Sequence, residues 1–294
     1  MAFVSVVVPC YNEERRIGRT LSALLDQSYP KQRYEIVVVD NGSTDHTRRV
    51  VASYPVRCLI EARRSSYAAR NTGIESTSGD YLAFIDSDCV AGASWLENLV
   101  RRDRESGQGL VAGRIELLPP VRQTRGSLLL ALRFSSGVRR ENAEARSAAP
   151  CGNLLVQREI FEEIGLFDVA VSGADSEFTQ AAARGGRKLV HADDAVVWHP
   201  GEISDAEFLR RSFRIHYGKG ARRRGEPGAL RETARRLPWR PGRRLPPELC
   251  AADPTVSSPQ RRLGWLAFLW LEALARWSGA LCGALGIPYR GDRR

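Results

Sequence analysis

What the 294-residue chain lacks narrows its function first. Its six cysteines (Cys10, Cys58, Cys89, Cys151, Cys250, Cys282) are scattered, and no two form a CxxC pair. That argues against a structural zinc site, whose thiolates come in closely spaced pairs, and against a disulfide framework. A reducing compartment, the cytoplasm, fits best. No GxGxxG follows the first apolar run, and no GK[ST] loop occurs. The chain therefore lacks both the glycines that admit a dinucleotide pyrophosphate and the loop that cradles a nucleoside triphosphate. The start, MAFVSVVVPCYNEE, has no basic n-region and no cleavage site, so secretion is not expected. Internal repeats and low-complexity tracts are missing too. Acid is missing locally: Arg210 to Arg224 holds seven Arg or Lys and no Asp or Glu. No aromatic-interleaved basic motif or reading helix accompanies this charge, so nucleic acid is not an expected partner.

What is present is a hydrophobic fraction of 43%, enough to build a core, and a net charge of +10 with a pI near 9.7. Such a balance favours phosphates or an acidic membrane surface. Val4 to Val8 is a short β-branched run closed by Pro9, the mark of a buried parallel strand. A helix with Ile17, Leu21, Leu24 and Leu25 on one face follows, capped by Asn12. Glu35 to Val39 is a second strand, and Ser43 or Thr44 caps the next helix. Val56 to Ile60, a helix through Ala68 to Ile74, and a strand Tyr81 to Ile85 continue the alternation. This α/β order predicts a mostly parallel open sheet flanked by helices. Beyond residue 110 the pattern loosens. Strands are expected at Val111 to Leu118, Asn153 to Val156, Lys188 to His191 and Ala195 to Trp198, and helices at Glu159 to Ile164 and Ser176 to Arg184. Residues 120 to 148 form a helix or a mobile segment.

Three of the parallel strands end in polar residues: Pro9-Cys10-Tyr11-Asn12-Glu13, Asp40-Asn41-Gly42-Ser43 and Asp86-Ser87-Asp88. In an open parallel sheet such ends share one edge, where ligands bind. Asp86 and Asp88 have no cationic neighbour in sequence. Either they lie in a solvated turn or a cation binds there.

VSVVVPCYNEE, EIVVVDNGSTD, AARNTGIESTSGDYLAFIDSDC and GADSEF, in this order, resemble the family 2 glycosyltransferases of the GT-A fold. The resemblance covers roughly residues 3 to 200. It implies a Rossmann-like nucleotide-sugar half at 1–110 and an acceptor half at 111–204, within a catalytic domain spanning 1–204. It implies metal-dependent, inverting transfer of a hexose from a nucleotide diphosphate sugar, most often UDP-linked, to an acceptor hydroxyl of a sugar or a lipid-linked glycan, as in cell-envelope polysaccharide synthesis. By the same resemblance Pro9 and Tyr11 lie against the base, Glu13 and Asp40 accept from ribose and base, and Arg70 and Asn71 line the donor site. Asp88 ligates Mn²⁺ or Mg²⁺, Asp86 touches ribose or the metal, and His199 is either a further metal contact or structural. Asp175 is the general base, with Glu177 as the alternative because Ala174 replaces the family's usual glutamate. Asn153 positions the acceptor. The second reading is a non-catalytic nucleotide-diphosphate-binding partner at a membrane.

The C-terminal extension reads as a basic helix over 205–217 that turns at Gly218-Lys219-Gly220, then a Pro- and Arg-rich stretch with little regular structure, Glu226 to Pro259. Together these make a 205–262 segment. An apolar helix at 263–288 follows. Its 23-residue run Leu263 to Leu285 carries Glu272 and Arg276 at one-turn spacing, three tryptophans (Trp265, Trp270, Trp277), and arginines at both ends: Arg261, Arg262, Arg290, Arg293 and Arg294. Charge on both flanks and within the run favours a helix lying in the membrane interface over a span. The expected location is the inner face of the cytoplasmic membrane.

Overall fold

The computed structural model describes residues 1–134, 147–238, 245–253 and 258–289. The chain forms two compact units. The first comprises 1–118, 134–169 and 174–200, and the second 119–133, 170–173 and 201–294.

The first unit is built on an eight-stranded sheet of order β3-β2-β1-β4-β7-β6-β8-β5. Its strands are β1 (Val4–Cys10), β2 (Tyr34–Asp40), β3 (Arg57–Ile60), β4 (Tyr81–Ile85), β5 (Val90–Ala91), β6 (Leu110–Leu118), β7 (Asn153–Gln157) and β8 (Val190–Pro200). Every residue of β1 is buried, as an unbroken valine run requires when helices cover both faces. β1 runs parallel to β2 and β4, and Cys10 pairs with Asp40, so the first two strand ends abut. β7 enters antiparallel to β4 with Ile85 opposite Asn153, and antiparallel to β6. Four of the seven strand pairings are parallel. The parallel half carries the regular strand–helix alternation, and the antiparallel pairs appear where that alternation in sequence loosens.

Helices α1 (Ile17–Leu25), α2 (Thr47–Val51), α3 (Ser66–Glu75) and α4 (Trp95–Ser106) flank this sheet. α3 begins where the Ser65 side chain accepts from the Tyr67 N–H. Asn12 and Ser43 do not cap helices as expected. Asn12 takes φ +54°, its Oδ1 accepts from Thr44 N at 2.8 Å, and its own N–H donates to Ser43 Oγ at 3.0 Å. The two residues stitch the first loop to the second. The two strand-like runs at 188–191 and 195–198 are one strand, β8, interrupted by a bulge. Its register on β6 jumps from Gly113–Ala192 to Arg114–Val196. The bulge is plugged by Asn153, whose Nδ2 donates to Arg114 O at 3.0 Å and Ala195 O at 2.8 Å.

α5 (Arg125–Phe134) lies in the second unit but for its last residue, α6 (Arg158–Ile164) and α7 (Ala174–Arg184) lie in the first, and the second unit continues with α8 (Asp205–Arg222), α9 (Ala229–Arg235), α10 (Pro247–Ala252) and α11 (Pro259–Leu285). α8 opens with a Ser204–Glu207 capping box and does not turn at Gly218-Lys219-Gly220. The helix continues because those glycines serve contact, not bending. A Cβ on Gly220 would lie 2.0 Å from Ala280 O, and one on Gly283 would lie 2.2 Å from Tyr217 O. α8 and α11 therefore touch backbone to backbone. The Pro- and Arg-rich stretch also departs from expectation, since α9 and α10 form within it; its residues 239–244 and 254–257 lie outside the described ones.

The mid-run acid of α11 is not exposed to its surroundings. Glu272 is 3% exposed, accepts from Arg133 at 2.9 Å and Ser212 Oγ at 3.0 Å, and pairs with Arg276 at 3.5 Å. The indole N–H groups of Trp265, Trp270 and Trp277 donate to Asp253 Oδ2, Pro238 O and Thr233 O, so these rings are tied into their own unit. Among the described residues no helix is long and apolar enough to cross a membrane. Arg290, Arg293 and Arg294 lie outside the described residues.

Candidate active site

The ends of β1, β2 and β4, with the loops after them, form one acidic edge. Asp40, 1% exposed, accepts from the Ser43 N–H at 3.1 Å and lies 3.9 Å from Arg48 Nε. Burial, then the Asp40 charge, pushes the Cys10 thiol far up, so it stays protonated. Glu13 is paired with Arg16 at 2.7 Å and its N–H donates to Thr47 Oγ1 at 2.7 Å. Burial raises its carboxyl above the ordinary value of 4.5 even though Arg16 pulls the other way. The Tyr11 ring lies under Arg64, 5.2 Å from its guanidinium carbon, with Arg64 Nη1 donating to the Tyr11 hydroxyl at 3.1 Å. Pro9 is buried within β1 opposite Val39.

Asp86 and Asp88 part company at the strand end. Arg70, 5% exposed, reaches from α3 to Asp86 Oδ1 at 2.6 Å. The cation that the sequence does not place near Asp86 is thus supplied by a residue 16 positions earlier. Burial opposes the Arg70 charge, but the carboxylates of Asp86 and Asp175 are among the groups that outweigh it. Its Nε has no hydrogen-bond partner. Asp88 turns the other way, with Oδ2 3.8 Å from His199 Nε2. The bulge in β8 and the β5 pairing of Val90 with Trp198 bring His199 there.

His199 Nδ1 lies 2.7 Å from Pro200 O. A carbonyl can only accept, so Nδ1 carries the proton in the neutral ring, and Nε2 presents a lone pair beside Asp88. Asp88, Cys89 and His199 bring one ligand atom each within 4.8 Å of one another. The Cys89 thiol, fully buried, is pushed far up by that burial and by Asp86 and Asp88, so it remains S–H and donates to Asp88 Oδ1 at 3.5 Å. The donors this leaves are a carboxylate oxygen and an imidazole nitrogen, which could together hold a divalent cation with remaining positions for oxygen ligands. Cys89 escaped the reading of the sequence because a lone cysteine after DxD carries no signal.

Asp175 sits in the first turn of α7. Its Oδ1 accepts from the Tyr67 hydroxyl at 3.1 Å and from the Ser176 N–H at 2.9 Å, and its Oδ2 from the Cys151 N–H at 3.3 Å. Ala174, where the family has glutamate, is buried, and Glu177 is half-buried one turn edge further on. Two amides expected to face ligands are committed elsewhere. Asn71 exchanges two bonds with the Phe167 backbone, Nδ2 to O at 2.8 Å and Phe167 N to Oδ1 at 3.1 Å. Asn153 fills the bulge with Nδ2 and accepts from Trp95 Nε1 at 2.8 Å with Oδ1. Tyr67 was not singled out in the sequence, where it reads as core.

The family model "Glycosyl transferase family 2" matches residues 5–165. Glycosyltransferase AglE of Haloferax volcanii is 37% identical over 227 residues, covering 75% of this chain and 73% of that protein. Among solved structures, the mannosyltransferase PcManGT from Pyrobaculum calidifontis, in complex with GDP-Man and Mn²⁺, superposes with a TM-score of 0.57 at 23% identity, covering 98% of this chain and 76% of that one. S. aureus TarS 1-349 in complex with UDP-GlcNAc gives 0.54 at 18% identity, covering 98% and 93%. These likenesses establish the GT-A fold, and the family match covers the whole acidic edge. The chain belongs to glycosyltransferase family 2 and is a glycosyltransferase.

Proposed function

We propose that the chain transfers a hexose, with inversion, from a nucleotide diphosphate sugar, UDP-linked, to a hydroxyl of a sugar or lipid-linked acceptor. The observation that carries this reading is the Asp88–His199 pair. A carboxylate and a ring nitrogen with its lone pair free stand 3.8 Å apart at the end of a nucleotide-binding sheet. Asp88 and His199 would hold a divalent cation, which, when bound, neutralises the diphosphate as charge builds on it. Asp86 stays with Arg70. Glu13 and Asp40 offer carboxylates to ribose and base, and the Tyr11–Arg64 pair offers a flat cationic face to the base. Asp175 takes the acceptor proton as the acceptor oxygen bonds to the anomeric carbon. The bond from that carbon to the diphosphate oxygen breaks, and its electrons leave with the diphosphate. The named relatives support a nucleotide-sugar donor, since the two solved structures bear GDP-Man and UDP-GlcNAc.

The domain limits follow the same reading: a catalytic domain over 1–204, a basic segment, and the apolar helix as a membrane-facing extension. Leu263, Leu271 and Leu285 of α11 are exposed, and Arg261 and Arg262 stand at its N-terminal end, which suits peripheral contact with an anionic cytoplasmic leaflet. The direct test is a panel of UDP- and GDP-sugars with and without Mn²⁺, scored by nucleotide release. Asp88→Ala should lose metal-dependent release, and Asp175→Asn should keep donor binding and lose transfer. Undiminished metal-dependent transfer by the Asp88 variant would remove the metal site.

A further inference from the structure

We infer that Tyr67 is a positioning residue that selects which oxygen of Asp175 receives the acceptor proton; this rests on Asp175 being the base. An ionised carboxylate has about four acceptor positions, two on each oxygen. Among the described residues, Oδ1 of Asp175 is filled by the Tyr67 hydroxyl and the Ser176 N–H, while Oδ2 meets only the Cys151 N–H. Oδ2 keeps the remaining position. The hydroxyl of Tyr67 therefore saturates one oxygen and leaves the other as the proton acceptor.

The ring carrying that hydroxyl is held from several directions. Asn71, one turn further along α3, grips the Phe167 backbone through both its amide atoms. The Phe167 ring lies 6.0 Å from the Tyr67 ring, and the Arg70 guanidinium lies over Tyr67 at 5.5 Å. Phe167 also packs on Phe84, Phe161 and Phe178. In this aromatic cluster a phenylalanine would satisfy packing at position 67, which is 6% exposed. The hydroxyl adds nothing to the packing and reaches a carboxylate. α3 thus spans both halves of the chemistry: Arg70 holds Asp86 on the donor side, and Tyr67, three residues earlier on the same face, holds Asp175. Misplacing a reacting side chain by about an ångström can cost about 10²-fold in rate, so groups that lock its orientation matter to the chemistry.

The test is Tyr67→Phe in the full chain, with Asp175→Asn measured alongside. Removing only the hydroxyl should lower kcat about 10- to 100-fold. Donor KM, nucleotide Kd and melting temperature should stay at wild-type values. Wild-type kcat in Tyr67→Phe overturns the role, and so does a loss of kcat that comes together with a raised donor KM and a lowered melting temperature. If Asp175→Asn still transfers, the base assignment itself fails and the Tyr67 role with it. If Asp175→Asn is silent while Tyr67→Phe is fully active, only the Tyr67 role fails.

Discussion

At the residue scale, the acids of this site differ in what they are asked to do, and their surroundings say how each should respond. In the proposed metal site His199 would offer one of two protein donor atoms to a cation. Loss of outer-shell partners alone typically costs about 10- to 100-fold in metal affinity, so His199→Ala should weaken Mn²⁺ binding by at least about 10-fold. An electron paramagnetic resonance titration of free Mn²⁺ measures it. Although Glu13 pairs with Arg16, burial outweighs the pair, and it behaves in the opposite sense from an ordinary salt-bridged carboxylate. Its pKa is raised by burial, so the folded state holds its proton more tightly than the unfolded chain. The stability this confers is complete below the ordinary value of 4.5 and is lost as pH rises through the raised folded value. Glu13→Gln should therefore melt higher than the wild type at pH 7 and equal to it at pH 4, while losing nucleotide affinity. Thermal melts across that pH range read the first effect, and nucleotide titration the second. The strand-end acids were legible because an apolar strand that stops at Asp has only the sheet edge to go to. The Arg70–Asp86 pair was not, since nothing in a sequence sets which face of α3 meets the end of β4. Asn71 and Asn153 were legible as motif positions, but their amides close backbone gaps inside the fold.

At the element scale, the bulge in β8 is what aims His199. Three residues of that strand are passed over between Ala192 and Val196, and Asn153 supplies the missing hydrogen bonds. Asn153→Ala would strand the Trp95 indole N–H and two backbone carbonyls. At about 1–3 kcal/mol for a buried polar group left unmade, the first unit should lose stability on at least that order. Urea unfolding measures it, and a denaturation midpoint equal to the wild type would show that water replaces the amide. The alternation of strands and helices up to residue 110 was readable because each element buries a continuous or one-faced apolar pattern. The bulge was not, because it depends on a side chain from a strand 40 residues away. Gly218-Lys219-Gly220 misled for a related reason. Glycine permits a turn, but it equally permits a backbone contact, and only the partner helix decides which.

At the scale of the whole molecule, the net charge of +10 and the exposed leucines of α11 would act together in the proposed membrane contact. Attraction of basic residues to an anionic surface is worth about 1 kcal/mol each and is screened within a Debye length. The chain should cosediment with vesicles containing phosphatidylserine at low salt, and less so at 0.5 M salt by roughly this electrostatic share. Leu271→Glu combined with Leu285→Glu should abolish cosedimentation and leave sugar transfer to a soluble acceptor, read as nucleotide release, intact. Capture of the double variant at wild-type levels would move the contact away from α11. The inward hydrogen bonds of Trp265, Trp270 and Trp277 bear on how that contact can be observed. Their indoles already sit in fixed, protein-made surroundings, and Trp95 is wholly buried. Docking onto a bilayer should therefore change the emission of these four indoles little, and a blue shift on adding vesicles would come from the two other tryptophans, Trp198 and Trp239. For these four indoles, intrinsic fluorescence reports unfolding and is silent on the membrane.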